Sequence, residues 1–293
     1  MHAISSVDNS PMPSNPLADL RDVTICAVDS INPALAARAL DLSLSQCRFG
    51  EAILFTHEVV QTRARHVQID PIGSLETYSR FMIKELVKYI STPWVLAVQW
   101  DGYVVDGSRW TDAFYQYDYI GARWPNSEEG SDVGNGGFSL RSSKLLRAIA
   151  NDEFELSPDQ GEDALICSTW RPALEERYGI RFAPASAADL FAYEYAFPSR
   201  PTFGFHGVFN MWRHIEDNAM IEIIRTVDIL TLTSPRGVAL LKNYCDLRKF
   251  ACVNAIYRRY RDRANAEGLV SAFVRNGVSE DVARYYVDLC EAS

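Results

Sequence analysis

The stretch Trp94–Arg141 constrains the fold most, because it opens on a short apolar run that leads directly into an acid. The run Trp94–Val98 is followed by Gln99-Trp100-Asp101-Gly102. A short apolar run that ends in turn residues is typical of a strand buried in a parallel sheet. Functional groups of α/β proteins collect at the carboxyl ends of such strands. We therefore expect a strand from Trp94 that ends at Asp101, at the mouth of a parallel sheet.

Apolar runs and helix signals alternate before this stretch. Val23–Val28 reads as a first strand, and Asn32-Pro33 then begins a helix, with Asn as the N-cap and Pro at the first position. Glu51–Thr56 and 66–70 are expected to be strands, and Tyr78–Ile90 carries apolar side chains four residues apart, as an amphipathic helix does. This order predicts an α/β domain with a mixed, mostly parallel sheet and helices on both faces.

The pattern is more varied after the central strand. Tyr117–Ala122 and Phe138–Arg141 are expected to be short strands, separated by a polar loop over 124–133. Ser142 or Ser143 can cap a helix over 144–151.

Changes in composition divide the chain into three parts. Residues 1–20 are rich in Ser, Pro and Asn and are expected to form a flexible lead. Residues 21–214 form the predicted α/β domain. From 215 to 293 the pattern is helical, with Ser234-Pro235 and Ser279 at helix starts, which predicts an all-helical C-terminal extension packed on that domain.

The totals exclude some classes of function. A formal net charge of -9 argues against a general polyanion-binding surface. The six cysteines contain no Cys-x-x-Cys pair, which favours buried, reduced thiols over a disulfide framework or a zinc site. Without an apolar run near 20 residues or a signal-like start, we expect a cytoplasmic protein.

Two side chains at the end of the central strand are candidates for ligand binding. A carboxylate such as Asp101 at the mouth of a sheet can hold Mg²⁺ or Mn²⁺, which would in turn bind a diphosphate. Gln99, on the same side of the strand, can hydrogen-bond a sugar or ribose. The alternative is that Asp101 only forms a turn with Gly102.

The segment Gly134-Asn135-Gly136-Gly137 is a candidate ligand-approach segment. No Lys-Ser or Lys-Thr follows it, so ordinary P-loop and dinucleotide-binding motifs are unsupported. Glycines allow a ligand to approach the backbone closely, although a tight turn between two strands would also explain them.

Three further positions carry groups suited to chemistry. Glu162-Asp163 precedes an apolar helix and can supply a general base, or can simply complement the helix dipole. His206 can be a metal ligand, a diphosphate contact or a buried structural histidine. Arg80, in the first turn of its helix, can contact a diphosphate, or be an ordinary surface residue.

The run Tyr257–Arg263 mixes aromatic and arginine side chains. Such a run can bind nucleic acid or an anionic membrane. Because the whole chain is acidic, a solvated helix face is the better interpretation. We therefore expect no nucleic-acid partner and at most peripheral membrane association.

Taken in order, several of these motifs carry a family resemblance. Gln99–Gly102, Tyr117–Ala122, Val133–Arg141, Glu162-Asp163 and Phe205-His206-Gly207 resemble a bacterial family of glycosyltransferase-like proteins whose function is uncharacterised. More loosely, the layout is similar to glycosyltransferases of the GT-A fold. The likeness implies a GT-A-like, Rossmann-like domain that binds a nucleotide-sugar.

The resemblance also implies roles for individual residues. Asp101 matches the last acid of the motif that binds the metal and the donor diphosphate, and His206 matches a late histidine that completes this site. Asp163, or Glu162 in its place, matches the base of inverting members. Gly136-Gly137 matches the segment that shapes the donor and acceptor pocket.

The expected function is therefore a hexosyltransferase-like enzyme that moves a sugar from a UDP- or GDP-sugar to a hydroxyl of a glycan or other acceptor, with Mn²⁺ or Mg²⁺ as cofactor. The sequence departs from the motif at Gln99, where a first acid is expected. This departure motivates an alternative, a nucleotide-binding scaffold with weak or no turnover. The residues expected to contact the donor are Gln99, Asp101, Gly102, Gly136, Gly137 and Arg80.

Overall fold

A computed structural model describes residues 17–124 and 132–293, and its centre is a six-stranded mixed sheet. The strands are β1 (Ala18–Val28), β2 (Cys47–Thr56), β3 (Arg65–Gln68), β4 (Trp94–Val98), β5 (Tyr119–Ile120) and β6 (Phe138–Ser142). They lie in the order β3-β2-β1-β4-β6-β5. The first four are mutually parallel, whereas β6 runs antiparallel to both β4 and β5. This arrangement confirms the predicted mixed, mostly parallel sheet.

Helices cover both faces of the sheet. They are α1 (Pro33–Gln46), α2 (Leu75–Arg80), α3 (Ser143–Ile149), α4 (Glu162–Ala164), α5 (Arg171–Tyr178) and α6 (Ala185–Phe191). Successive β1 side chains point to opposite faces, so Ile25 packs with α1 and α6, whereas Cys26 packs with α3 and α5. Side chains of both faces are buried along Val23–Val28 of β1 and along Val95–Val98 of β4, which explains why these stretches are nearly all apolar.

A small parallel pair, β7 (Ala192–Tyr193) and β8 (Gly204–Phe205), lies beyond the main sheet. An antiparallel bridge joins Val104 to Gly204 and so attaches this pair to the segment that follows β4. His206 comes directly after β8 and is held close to the end of the central strand.

The C-terminal part is helical, as predicted. Its helices are α7 (Asp217–Thr226), α8 (Ile229–Thr233), α9 (Pro235–Asp246), α10 (Phe250–Arg261), α11 (Ala266–Arg275) and α12 (Glu280–Ala292). The Ser234 hydroxyl caps α9 by accepting a hydrogen bond from Gly237 N. One apolar cluster joins these helices to Tyr103 and Phe205, so the extension packs on the α/β part.

Several boundaries differ from the sequence expectations. β1 begins at Ala18, so residues 18–20 of the expected lead belong to a strand, and residues 1–16 lie outside the described part. β4 ends at Val98, because Gln99–Asp101 form a turn closed by a hydrogen bond from Gly102 N to Gln99 O. The strand expected to reach Asp101 was therefore too long.

The two helices beside the site are also less regular than predicted. α2 continues as a π-helical turn at Phe81–Glu85 and a 3-10 turn at Leu86–Lys88, and ends before Ile90. The helix expected from Ala164 to Arg171 is a π-helical turn at Leu165–Thr169. In the expected loop 124–133, residues 125–131 lie outside the described part.

Two further observations concern the whole described part. All six cysteines are buried and free. Within residues 17–124 and 132–293, no helix combines the length and the apolar character needed to cross a bilayer.

Candidate functional site

The predicted site residues other than Arg80 lie near the carboxyl ends of β1 and β4. In the sheet, β2 lies on one side of β1 and β4 lies on the other side. The carboxyl ends of β1 and β4 therefore form a topological switch point, which is where α/β proteins bind ligands. A cleft of about 750 Å³, here called the strand-end cleft, opens there. It is lined by Val28–Asn32, by Gln99–Asp101 and by side chains from 228–236.

A smaller space of about 240 Å³, here called the glycine cleft, adjoins it. Its lining includes Gly136, Gly137, Asp163, Glu194 and His206. The two clefts share the lining residues Leu75, Tyr78, Gln99, Tyr195 and Arg236. Segments that are distant in sequence therefore meet at one continuous opening.

Asp101 is buried and faces the segment after β8. Its Oδ2 accepts a hydrogen bond of 2.8 Å from Val208 N, and its Oδ1 lies 3.4 Å from His206 Nε2. Burial alone would raise the pKa of Asp101, but the neighbouring His206 charge and hydrogen bond outweigh it and lower the pKa. Asp101 therefore joins β4 to His206 rather than merely forming a turn with Gly102.

Gly102 allows this close approach. A Cβ on Gly102 would lie 2.9 Å from the Phe205 carbonyl oxygen and 3.1 Å from His206 Cδ2. The structure thus gives Gly102 a packing role beneath the site, and the chain can bring Asp101 and His206 together only because a side chain is absent there.

His206 lies between the carboxylates of Asp101 and Glu194. Its Nδ1 is 3.1 Å from Glu194 Oε1, and its Nε2 is 3.1 Å from Gln99 Oε1. Burial lowers the pKa of His206, but Asp101 and then Glu194 outweigh burial and raise it to about 10. The Asn135 amide donates a 2.7 Å hydrogen bond to Glu194 Oε2, which fixes the second carboxylate.

The two central glycines fill the space between the acids and His206. A Cβ on Gly136 would lie 2.1 Å from Glu162 Oε1, and a Cβ on Gly137 would lie 2.1 Å from His206 Nε2. Asn135 before them has a φ of 71°, in the left-handed region that Asn tolerates better than most residues. The segment is therefore close-packed on both sides, which a simple tight turn would not require.

The adjacent acids Glu162 and Asp163 have different environments. Glu162 is buried, and its Oε1 lies 2.8 Å from Nη2 of the fully buried Arg141. Burial raises the pKa of Glu162, an effect that Arg141 opposes. Asp163 is only partly buried, and its Oδ2 accepts a hydrogen bond of 3.1 Å from Gly136 N. Both acids border the glycine cleft, and Asp163 is thus the more accessible of the two to a ligand there.

The donor set suits a divalent cation only if Gln99 takes part. Within the ranges 17–124 and 132–293, no three His, Cys, Asp or Glu side chains form a metal-binding group. However, Gln99 Oε1 and Asp101 Oδ1 both lie within 3.4 Å of His206 Nε2. Amide oxygen, carboxylate oxygen and imidazole nitrogen are acceptable to Mn²⁺ or Mg²⁺. The second carboxylate, Glu194, contacts the other ring nitrogen, as outer-shell partners of metal-bound histidines do. Because its pKa is raised to about 10, His206 is protonated at neutral pH, so these residues fit such an ion only once the ring has lost that proton.

The structure does not bring Arg80 to this site. Its side chain is exposed, lies 3.4 Å from Glu76 Oε1, and lines a separate depression beside β3. In the basic run, Tyr257 and Tyr260 are buried in the helical core, and Arg259 donates to the carbonyls of Ile224 and Val227. Three of the seven residues of that run therefore support helix packing, and the other four are exposed.

Sequence reasoning missed Glu194 and Arg236. Glu194 follows β7 as His206 follows β8, and the paired register Tyr193–Phe205 places the two side by side. An aromatic residue precedes both Glu194 and His206, and this repetition was a usable signal. It could be interpreted only with the knowledge that two strands 12 residues apart in the chain pair in parallel. Arg236 follows Ser234-Pro235, a pattern that marks a helix start and not a ligand site.

Comparisons with known proteins give limited information. A family model described as a protein of unknown function (DUF5672) matches residues 61–206, a range that ends at His206. No curated protein matches the chain.

Two similar solved structures are glycosyltransferases. One is involved in the glycosylation of the major capsid of PBCV-1 and has a TM-score of 0.41 and 13% identity, covering 63% of this chain and 91% of that one. The other is the apo form of GlyE from Streptococcus pneumoniae TIGR4, with a TM-score of 0.39 and 12% identity, covering 62% of this chain and 53% of that one. At these values neither likeness specifies an activity for the chain.

Proposed function

We propose that the protein transfers a sugar from a nucleotide-sugar to an acceptor hydroxyl. The observation that carries this proposal is the convergence of Gln99–Asp101, Gly136-Gly137, Asp163 and His206 on one continuous opening. These are the residues to which the family resemblance assigns donor and base roles, and they come from four separate segments of the chain.

The sizes of the two clefts support binding of the nucleotide in one and of the sugar in the other. A volume of about 750 Å³ lies in the range of small-molecule and cofactor sites, so the strand-end cleft can hold a nucleotide. Trp100 and Tyr195 supply aromatic surface there. The adjoining glycine cleft, at about 240 Å³, suits one sugar ring and an acceptor hydroxyl.

In the proposed reaction, the acceptor oxygen forms a bond to the anomeric carbon as the bond from that carbon to the diphosphate breaks. Asp163 takes the proton of the acceptor hydroxyl, because it is the most accessible carboxylate of the glycine cleft, whereas Glu162 and Glu194 are buried in ion pairs. The hydrogen bond from Gly136 N holds Asp163 in place. The nucleoside diphosphate leaves with the electron pair, and attack opposite the leaving group inverts the anomeric centre.

Gln99, Asp101 and His206 would hold a divalent cation. Such an ion would offset negative charge on the leaving diphosphate. Glu194 orients the His206 ring through Nδ1, and Val208 N orients Asp101, so these donors are preorganised.

Titration calorimetry of the full chain with UDP- and GDP-hexoses, with Mn²⁺ or with EDTA, tests the proposal. At least one nucleotide-sugar should bind in the micromolar to millimolar range typical of enzyme substrates. Asp101→Asn should weaken this binding, whereas Asp22→Asn should not, because Asp22 is an exposed acid near the opposite end of β1. Absence of binding to every nucleotide and nucleotide-sugar would refute the proposal.

One observation favours the scaffold alternative. Gln99 replaces a carboxylate, and its amide is already engaged with Tyr78 and His206. A scaffold would bind the nucleotide-sugar without transferring or hydrolysing it. Product analysis under saturating donor therefore separates the two functions.

A further inference from the structure

We propose that Arg236, from the helical extension, binds the diphosphate of the donor, so that the extension completes the active site. This inference rests on the proposed function, because it assumes that a nucleoside diphosphate occupies the strand-end cleft. It assigns the diphosphate contact to a helix outside the α/β domain.

Arg236 is placed where the two clefts meet. It lines both of them, and about half of its side chain is accessible. Among the described residues that line either cleft, it is the one Lys or Arg side chain. Arg141, the nearby second guanidinium, is fully buried against Glu162 and lines neither cleft.

The guanidinium of Arg236 keeps donors for a ligand. Its Nε donates to the Tyr195 hydroxyl at 3.2 Å, and its Nη2 lies 3.5 Å from Glu194 Oε1. A guanidinium has five N–H donors in a planar fork, which matches the oxygens of a phosphate group. The contact to Tyr195 fixes the plane of the fork, and the side chain borders both clefts.

The strand-end cleft has an acidic lining, so binding of a diphosphate there requires a positively charged group. Asp29, Asp101 and Asp228 line it, and each already accepts backbone hydrogen bonds. These acids would repel a diphosphate. His206, behind Asp101, is enclosed by carboxylates, so Arg236 is the exposed positive charge that the described walls offer.

The surrounding contacts hold Arg236 in position. Asn32 Oδ1 accepts a hydrogen bond of 2.8 Å from Asp228 N, which ties the start of α8 to the loop after β1. A Cβ on Gly237 would lie 2.3 Å from the Thr231 carbonyl oxygen, so α9 begins directly against α8. The segment 228–236 is thus a fixed wall of the cleft, built on the sheet.

Calorimetric titration of wild type, Arg236→Ala and Arg236→Lys with UDP, GDP and their nucleosides tests the inference. Arg236→Ala should weaken binding of the diphosphate that wild type prefers by about 10- to 100-fold, the range expected for charge-assisted hydrogen bonds, with Mn²⁺ or with EDTA. Binding of the matching nucleoside should change less than about 3-fold. Arg236→Lys, which keeps the charge and loses the fork, should fall between the two.

Arg258→Ala is the matched control, because Arg258 is an exposed arginine on α10 outside both clefts. Equal diphosphate affinity in wild type, Arg236→Ala and Arg236→Lys would overturn the inference and leave the proposed function intact. Failure of wild type to bind either diphosphate would overturn both. If Arg236→Ala does not fold, as judged by circular dichroism, the comparison of Arg236→Lys with wild type decides.

Discussion

The two walls of the glycine cleft use buried charge in opposite ways. On one wall, His206 contacts Asp101, Glu194 and Gln99, and this polar cluster borders the opening. On the other wall, Glu162 is buried and paired with Arg141, whereas its neighbour Asp163 is more accessible, although both acids border the cleft. Under the proposed function, the second wall therefore assigns support to Glu162 and chemistry to Asp163.

The largest effect is expected from replacing the proposed base on the second wall. Asp163→Asn removes the proposed base and should lower kcat by about 10²- to 10⁴-fold, the usual contribution of general base catalysis. Donor affinity should remain within a few fold, because the amide keeps the acceptor oxygen for Gly136 N.

Steady-state transfer assays and calorimetry measure these two quantities. Asp159→Asn is the control, since Asp159 is an exposed acid just before the same helix. A fully active Asp163→Asn enzyme would show that the base lies elsewhere.

The next effect concerns the support of that wall. Arg141→Met leaves Glu162 as a buried, uncompensated charge and should lower the free energy of unfolding by about 3–5 kcal/mol. The double variant Arg141→Met/Glu162→Leu should recover much of this loss, because the unpaired charge is gone.

Urea unfolding gives both values. Arg225→Met is the control, because the pair of Arg225 and Glu222 is exposed and worth under about 1 kcal/mol. A small loss in Arg141→Met, similar to that of the control, would contradict the buried-pair interpretation.

The smallest expected effect tests the close packing between the walls. Gly137→Ala places a methyl group 2.1 Å from His206 Nε2, so the ring or the backbone must move. Overpacking of this kind costs about 1–3 kcal/mol and should also weaken binding of UDP or GDP.

Gly73→Ala is the matched control, because Gly73 lines the adjoining strand-end cleft but has open space where its Cβ would lie. Thermal unfolding and calorimetry of both variants provide the measurement. Equal behaviour of the two variants would show that His206 adjusts freely.

Much of the fold was predictable from short-range signals. The apolar stretches predicted as strands lie within β1, β2 and β4, and the helix starts at Pro33 and Pro235 follow from a preceding polar residue and proline. Boundaries were less predictable: β1 at Ala18 pairs with Cys47, a partner that local sequence does not identify.

Part of the set of residues that meet at the opening was predictable, but their arrangement was not. The sequence named Asp101, Asp163 and His206, which line the adjoining clefts, but it also named Arg80, which lies elsewhere. The resemblance put Asp163 before Glu162, but the two residues are adjacent and chemically alike, so their chemistry alone gave no means to choose. Burial against Arg141 separates them, and burial is a property of the packed chain.

The sequence by itself determined the helix starts and the main strands, because each depends on neighbours within a few positions. Only the tertiary structure decided how Asp101 is used, since its hydrogen-bond partner Val208 N is 107 residues away. The tertiary structure also identified Glu194 and Arg236 as candidate site residues. No sequence motif identifies them, and only their contacts in the folded chain do. Long-range pairing and burial thus decided the division of roles within the site.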